Sequence, residues 1–181
     1  MSDKIHYGCG NHVLKDWLNV DGFDGSYAYE NIESDKRAYI YPLNIADPHP
    51  FPSEQFQFGY SEHMLEHLSQ ADSIIFLSEA FRTLKPGGIM RLCFPGFRGV
   101  LFRHYRSSDF EGAIQGKEEA YTNWQHVHFY CFESLQLVAE HIGFSRVEEV
   151  EHGKSDHPEL KNLESRPAKE DGFELLVELT K

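Results

Sequence analysis

The sequence contains no run of about eighteen uninterrupted apolar residues, the length that a membrane-spanning helix needs. Its first residues, Met1 to Lys4, lack the pattern of a secretory signal. Cysteine is scarce as well. There are three cysteines, an odd number, at Cys9, Cys93 and Cys131, and their spacing matches no metal-binding pattern. We therefore expect free thiols in a reducing compartment. These absences favour a cytoplasmic protein that has no membrane partner.

Basic residues are also in short supply, because 17 Lys and Arg stand against 29 Asp and Glu and leave a formal net charge of −12. Proteins that bind nucleic acid hold the phosphate backbone through Lys and Arg, so this balance argues against a nucleic-acid partner. The 181 residues suffice for one hydrophobic core and include no internal repeat and no linker. We therefore expect a single domain over residues 1–181.

Strand-like and helix-like segments alternate along the chain, which predicts an α/β fold around a mostly parallel sheet. Seven strands are expected, at residues 4–7, 17–21, 38–45, 56–60, 89–94, 146–150 and 173–179. Residues 97–125, which are rich in aromatic side chains, follow the fifth strand and are left without an assigned structure.

Two helices are predicted with identifiable ends. The first begins after Ser69, which forms a capping-box start with Asp72, and it ends at the turn Pro86-Gly87-Gly88. Its apolar face is expected to consist of Ile74, Leu77, Phe81 and Leu84. The second helix has its apolar face at Leu135, Val138, Ala139 and Ile142, and Gly143 closes it in a left-handed conformation.

A glycine turn, Tyr7-Gly8-Cys9-Gly10, directly follows the first predicted strand. Glycines there let the backbone turn sharply and approach a ligand closely. Asp21 closes the next strand, where an acid can accept both hydroxyls of a ribose. Asp21 is only eleven positions after Gly10, and Val13 replaces the third glycine of the dinucleotide fingerprint. The spacing therefore indicates a ligand without a pyrophosphate and a vestigial first crossover helix.

The segment Ser61-Glu62-His63-Met64-Leu65-Glu66-His67 follows the fourth strand. Its last five residues fit the H-x-x-E-H pattern of inverted zinc peptidases. On a helix, His63 and His67 would share one face and could hold zinc. A peptidase also needs a third ligand and a substrate cleft, usually in a longer chain, so we assign no metal and keep a zinc hydrolase only as an alternative.

The order of these motifs resembles that of the class I S-adenosylmethionine-dependent methyltransferases, in particular the small type 11-like predicted methyltransferases. The residues that carry the resemblance are the glycine turn, Asp21, the segment 61–67 and Leu84-Lys85-Pro86-Gly87-Gly88. The resemblance implies a doubly wound, Rossmann-like, mostly parallel seven-stranded sheet whose last strand is antiparallel. It also implies S-adenosylmethionine as the cofactor.

The same resemblance implies a set of cofactor-binding residues: Tyr7, Gly8, Cys9, Gly10, Asp21, Asn44, Ile45, Ser61, Glu62 and His63. The glycine turn would face the methionine part of the cofactor, and Asp21 would hold the ribose hydroxyls. Asn44 stands where such families commonly have an acid that binds the adenine amino group, and its amide oxygen can still accept a hydrogen bond.

The function implied by the resemblance is methyl transfer to a small-molecule or glycan acceptor. A base is needed only if the acceptor must lose a proton, and the candidates are His126 and His128, with His63 as a third. Residues 97–125, with Arg98, Arg103 and Arg106, are where the acceptor is expected to bind. The alternative from another class is a non-catalytic S-adenosylmethionine-binding module, which Asn44 and the shortened crossover would indicate.

Overall fold

A computed structural model of the protein describes residues 2–22, 27–104, 118, 121, 124–168 and 172–181. The strands are β1 (Lys4–Tyr7), β2 (Leu18–Asp21), β3 (Ile40–Pro42), β4 (Phe56–Glu62), β5 (Leu84–Pro95), β6 (Arg146–Glu149) and β7 (Glu174–Thr180). The helices are α1 (Tyr27–Glu30), α2 (Gln70–Thr83), α3 (Phe97–His104) and α4 (Phe132–Ile142). Short 3-10 turns lie at Arg37–Tyr39, Leu65–His67 and Pro158–Leu160.

The strands form one sheet in the order β3-β2-β1-β4-β5-β7-β6. Strands β1 to β5 pair in parallel, and β7 runs antiparallel to both β5 and β6. The direction of strand order reverses beside β1, and ligands bind at the carboxyl ends of the strands at such a switch point. This topology confirms the predicted doubly wound, mostly parallel α/β fold and places the glycine turn at the switch point.

The first crossover is short, and residues 8–17 between β1 and β2 contain no helix. The buried side chain of Asn19 organises this connection instead. Its Oδ1 accepts from the Leu14 amide and its Nδ2 donates to the Leu14 carbonyl, both at 2.9 Å. The absence of a helix in residues 8–17 confirms the predicted vestigial crossover. The side chain of Asn19 satisfies backbone groups of this connection that a helix would otherwise pair.

Helix α2 begins as expected, and of its predicted apolar face Leu77 is buried and Phe81 packs against the core. The Asp72 amide donates to the Ser69 hydroxyl at 3.1 Å, as the predicted cap requires. The buried residues of the helix are Ser73, Phe76, Leu77, Ala80 and Thr83. Ile74, expected in the core, is 38% exposed. Ser73 and Thr83 tolerate burial because their hydroxyls bond to Tyr130 Oη and to the Glu79 carbonyl, respectively.

Two predicted boundaries were wrong. The third strand covers only Ile40–Pro42, because Arg37–Tyr39 forms a 3-10 turn. Helix α2 ends at Thr83 and β5 starts at Leu84, so the chain is already extended two residues before Pro86.

Helix α4 covers Phe132–Ile142, and Gly143 caps it with a positive φ of 124°, as predicted. No helix in the described ranges is long and apolar enough to cross a membrane.

Candidate active site

The carboxylate of Asp21 faces the glycine turn that follows β1. The Gly10 amide donates to Oδ2 at 2.5 Å, and the Gly22 amide donates to Oδ1 at 2.7 Å. The residue is only 9% exposed. Each carboxylate oxygen has a second lone pair, so Asp21 fixes the turn and can still accept a hydrogen bond from a ligand on each oxygen.

Gly8 and Gly10 share a backbone conformation, but the surroundings of their α-carbons differ. Gly8 and Gly10 have φ values of +64° and +50°, in the left-handed region that favours glycine. A β-carbon at Gly8 would lie 2.5 Å from Cγ of Met64, whereas one at Gly10 would meet nothing within 4 Å. Gly8 is therefore required for packing, and Gly10 leaves open space on its side-chain face.

An open cleft of about 480 Å³ lies at this turn, within the size range of small-molecule sites. Its lining residues are His6, Gly8, Cys9, Gly10, Asn11, His12, Glu62, His63, Ser165 and Arg166. Five of the predicted cofactor-binding residues are among them: Gly8, Cys9, Gly10, Glu62 and His63. The cleft therefore joins the first predicted motif to the segment after β4.

Tyr7 and Ser61 are buried at the ends of β1 and β4. The Tyr7 ring packs against Phe76, its hydroxyl lies 3.3 Å from Thr83 Oγ1, and burial raises its pKa. The side chain of Tyr7 thus belongs to the core, and only its backbone is left for a ligand. The Ser61 hydroxyl is buried without a hydrogen-bond partner among the described residues.

Asn44 and Ile45 lie outside the lining of the cleft. Asn44 Nδ2 donates to Asp47 Oδ2 at 2.9 Å, and its Oδ1 accepts from the Ala46 amide at 3.3 Å. Ile45 packs against the main core, and its carbonyl oxygen lies 3.1 Å from Nε2 of His49. The amide of Asn44 thus organises its own turn, and its contact with adenine stays a prediction.

Glu62 binds a segment that is distant in sequence. Its carboxylate accepts hydrogen bonds from the Ser165 amide at 3.0 and 3.1 Å, and from the Ser165 hydroxyl at 2.7 Å. Nδ1 of His12 lies 3.7 Å from Oε2. Burial alone would raise the pKa of Glu62, but His12 and the Ser165 donors outweigh burial and hold the pKa at about 2. The carboxylate anchors the loop before β7 at the rim of the cleft.

A fully buried arginine on β5, Arg91, also binds the loop before β7. Arg91 donates to Glu164 Oε1 through Nε at 2.8 Å and Nη2 at 2.5 Å, and to Glu178 Oε1 through Nη1 at 2.7 Å. It also donates to the Lys154 carbonyl at 2.9 Å. Because Glu164 precedes Ser165, this network fixes the position of the cleft wall.

His63 lies between two carboxylates in the cleft. Its Nδ1 is 3.2 Å from Glu66 Oε1, and its Nε2 is 3.0 Å from Glu174 Oε1. Burial lowers the pKa of His63, but the two carboxylates outweigh burial and raise the pKa above its ordinary value. Both ring nitrogens are therefore engaged, which favours a charged imidazolium. This imidazolium bridges β7 and the turn that follows β4 at residues 63–67 (the β4 turn).

His63 and His67 do not share a helix face, which the zinc hydrolase alternative would require. His63 has a φ of +49°, and the residues after it form the 3-10 turn Leu65–His67 rather than an α-helix. His67 instead lies beside His126, with ring centroids 5.0 Å apart. The zinc hydrolase alternative loses its geometric basis, because His63 is occupied by Glu66 and Glu174.

The two predicted base residues lie next to this turn, outside the lining of the cleft. Nε2 of His126 is 3.9 Å from Glu66 Oε1, and burial lowers the pKa of His126 to about 4. His128 packs edge-on against Tyr130 at 4.6 Å, and burial lowers its pKa too. No contact here tests a catalytic role, so the role of His126 or His128 as a base stays a prediction.

The expected acceptor region carries exposed apolar side chains. Those described are Phe97, Leu101, Phe102, Tyr121, Trp124 and Val127. Arg98 is exposed and donates to Glu133 Oε1 at 2.7 Å. The side chain of Arg103 and all of Arg106 lie outside the described residues. The predicted arginine cluster is thus described only at Arg98, which already has a partner.

Five polar residues of the cleft lie outside the predicted set: His6, Asn11, His12, Ser165 and Arg166. Asn11 and His12 could have been found, since they are the two residues that follow the glycine turn. Ser165 is 103 positions from Glu62, so no local pattern could have paired them. Arg91 was taken as an ordinary residue of a buried strand, although a charge there requires buried partners.

A family model described as a methyltransferase domain matches residues 4–149. The chain therefore belongs to the methyltransferase-domain family, and its resemblance to S-adenosylmethionine-dependent methyltransferases is confirmed. It is an S-adenosylmethionine-dependent methyltransferase, and S-adenosylmethionine is its cofactor. No curated protein matches the sequence.

Solved structures of similar proteins agree on the fold. A Thermotoga maritima S-adenosylmethionine-dependent methyltransferase, described as a possible histamine N-methyltransferase, is 19% identical, with a TM-score of 0.61 over 98% of this chain and 81% of that one. A Mesorhizobium loti methyltransferase is 16% identical, with a TM-score of 0.62 over 98% and 90%. A Haemonchus contortus N-methyltransferase, in complex with phosphomonomethylethanolamine and S-adenosylhomocysteine, is 17% identical, with a TM-score of 0.56 over 81% and 34%.

The residues present at the switch point fit this cofactor. Asp21 has unused acceptor positions for a ribose diol. The space beside Gly10 is open, and the buried Ser61 hydroxyl is without a partner among the described residues. A polar ligand that carries hydroxyl, amino and carboxylate groups can satisfy such atoms.

Proposed function

We propose that this methyltransferase acts on a small-molecule acceptor, glycans included, which binds beside α3 and residues 124–128. The observation that carries the proposal is the group of six exposed apolar side chains described above, four of which are aromatic. Exposed apolar patches on a protein surface often mark ligand-binding grooves. A cleft of about 480 Å³ suits a small acceptor beside a nucleoside-sized cofactor.

Contacts between backbone segments support a connection from this surface to the cleft. The Phe97 amide donates to the Tyr130 carbonyl at 2.8 Å, which joins α3 to the strand-like segment before α4. The Val127 amide donates to the Glu66 carbonyl at 2.8 Å. Glu66 in turn contacts His63, which lines the cleft. These contacts connect the segment of Val127, through Glu66 and His63, to the wall of the cleft.

We propose the residue roles that the resemblance implies, and the site geometry supports those of Asp21 and the glycine turn. Asp21 would accept the ribose hydroxyls, the turn of Gly8 to Gly10 would face the methionine part, and Asn44 would contact adenine. When bound, S-adenosylmethionine supplies an activated methyl group on a sulfonium. The protein therefore has to align the acceptor atom with that group and exclude water. Glu62 contributes by fixing the Ser165–Arg166 wall of the cleft.

The proposal is tested by incubating the purified protein with S-adenosylmethionine and separate pools of small metabolites, free glycans, proteins and nucleic acids. We expect S-adenosylhomocysteine to form with a small-metabolite or glycan pool, and mass spectrometry to find a product that is one methyl group heavier. Methylation of only the protein or the nucleic-acid pool would contradict the proposal.

The position of the acceptor is tested with Trp124→Ala, because Trp124 is 57% exposed in the proposed surface. We expect a KM for the acceptor at least about fivefold higher, equal to about 1 kcal/mol, with the Kd for S-adenosylmethionine unchanged. Leu137→Ala is the matched control, since Leu137 is 72% exposed on α4, outside this surface. Equal KM values for both variants would place the acceptor elsewhere.

A further inference from the structure

We propose that Glu66, His67 and His126 form a binding site for a divalent transition-metal ion of the Zn²⁺ type. The site lies beside the cofactor cleft and goes beyond methyl transfer, since no step of that reaction requires it. Its ligands also differ from the His63–His67 pair that the H-x-x-E-H pattern suggested.

The first argument is the distance between the three side chains. Each offers one ligand atom, and these atoms all lie within 4.8 Å of one another. Glu66 Oε1 and His126 Nε2 are 3.9 Å apart. Bonds of about 2.0–2.2 Å to one ion place tetrahedral ligand atoms about 3.4 Å apart, so small side-chain rotations would close the site. Two imidazoles and one carboxylate are a ligand set that borderline divalent metals accept.

The second argument is the burial of an unpartnered polar atom. Glu66 is 1% exposed, and its Oε2 has no hydrogen-bond partner among the described residues. An unpaired carboxylate oxygen in such a place is costly, and a cation next to it would remove that cost. His67 is exposed, so an ion could enter from solvent and retain water at an open position.

The third argument is that Glu66 is held in place from two directions. His63 Nδ1 lies 3.2 Å from Glu66 Oε1 and fixes the orientation of the carboxylate. The Glu66 carbonyl accepts from the Val127 amide at 2.8 Å and from the His128 amide at 3.3 Å. These bonds dock the segment that carries His126 onto the turn that carries Glu66 and His67. The ligand set is therefore preorganised, although its members are distant in sequence.

A second group of potential ligands, Glu62, His63 and Cys93, also lies within 4.8 Å. Glu62 binds Ser165, and both ring nitrogens of His63 are engaged by Glu66 and Glu174, so neither side chain has an unpartnered buried ligand atom. Glu66 differs, because its Oε1 contacts His63 but its Oε2 has no partner among the described residues. Burial and nearby carboxylates raise the pKa of the Cys93 thiol, which disfavours the thiolate that a metal needs. The Glu66 group is therefore the better site.

The experiment titrates chelator-treated, full-length protein with ZnCl₂ by calorimetry and with CoCl₂ by absorption spectroscopy. We expect one equivalent to bind, with Co²⁺ d–d bands and no thiolate-to-cobalt charge-transfer band. His67→Ala and His126→Ala should each weaken Zn²⁺ binding by at least about tenfold, as loss of a metal ligand does. Zn²⁺ should raise the Tm of the parent protein and leave the Tm of His67→Ala nearly unchanged.

His141→Ala is the matched control, since His141 is exposed on α4, and its Zn²⁺ affinity should equal that of the parent. Circular dichroism of the metal-free variants verifies that they are folded, and His67→Ala is the safest because His67 is exposed. The proposal is overturned if the parent binds no stoichiometric ion, or if both ligand variants bind like the parent. A charge-transfer band would also overturn it, because that band would place the ion at Cys93.

Discussion

Asp21 and Glu62 invite comparison, because they end the two strands that flank β1 and are each 9% exposed. Asp21 accepts one amide on each oxygen, from Gly10 and Gly22. Glu62 accepts two donors of Ser165 and the Arg166 amide, with His12 close by. The two carboxylates thus have equivalent positions and equal burial, but the protein provides more hydrogen-bond donors to Glu62 than to Asp21. Asp21 therefore keeps acceptor capacity for a ligand on both oxygens, whereas Glu62 gives most of its capacity to the loop.

The origin of the donors explains the difference. The donors of Asp21 come from the adjacent residue and from the turn that it supports. Those of Glu62 come from a loop that reaches the cleft only because Arg91 holds Glu164 beneath it. Glu62 is therefore an anchor whose role depends on a buried ion pair elsewhere in the sheet.

The largest expected effect comes from removing that ion pair. Arg91→Met leaves the carboxylates of Glu164 and Glu178 buried without their partner, so the free energy of unfolding should fall by about 3–5 kcal/mol. Urea unfolding measures the loss, and hydrogen exchange should become faster in residues 151–168. Arg146→Met, which removes only the exposed pair with Glu148, should change stability by less than about 1 kcal/mol. Equal losses in both variants would refute the anchoring role of Arg91.

The next effect concerns the cofactor rather than the fold. Asp21→Ala removes the proposed acceptor of two ribose hydroxyls, and each charge-assisted hydrogen bond contributes about 1.5–3 kcal/mol. The Kd for S-adenosylmethionine should therefore rise by about 100-fold, measured by calorimetry. Glu62→Gln should raise the same Kd by less than about tenfold, because Glu62 already binds the loop. If the two variants weaken binding equally, the distinction between ligand and anchor is wrong.

The smallest effect is a change in pH dependence. The pKa of Glu62 is about 2 in the folded protein, below its ordinary value of 4.5, so the carboxylate stabilises the fold above pH 4.5. This contribution should disappear as the pH falls from about 4.5 to about 2. Glu62→Gln should be less stable than the parent at pH 7, and the two curves should converge in acid. Urea unfolding at a series of pH values measures both, and parallel curves would contradict the assignment.

The parts of the molecule that sequence patterns predicted are those with local causes. The glycine turn, the Ser69 cap, the Gly143 cap and the missing crossover helix each depend on residues within a few positions of one another. On α2 the prediction failed at Ile74, which is exposed, and it omitted Ser73 and Thr83, whose hydroxyl groups find buried partners that hydrophobic periodicity ignores.

The remaining features could not be predicted because their partners are remote. Arg91 and Glu164 are 73 positions apart, and His63 and Glu174 are 111 apart. Such pairs have no period or spacing in the sequence. The same is true of the contact between Glu66 and His126, which only the packing of residues 124–128 on the β4 turn reveals.

The short connection between β1 and β2 has a consequence for how the chain folds. Ile5 pairs with Leu18, only 13 positions away, whereas Lys4 pairs with Phe58 in β4, 54 positions away. Closing the shorter loop costs about 1 kcal/mol less conformational entropy. We therefore expect the β1–β2 pair to form before the rest of the sheet, with the proposed ribose site at Asp21 already built at its end.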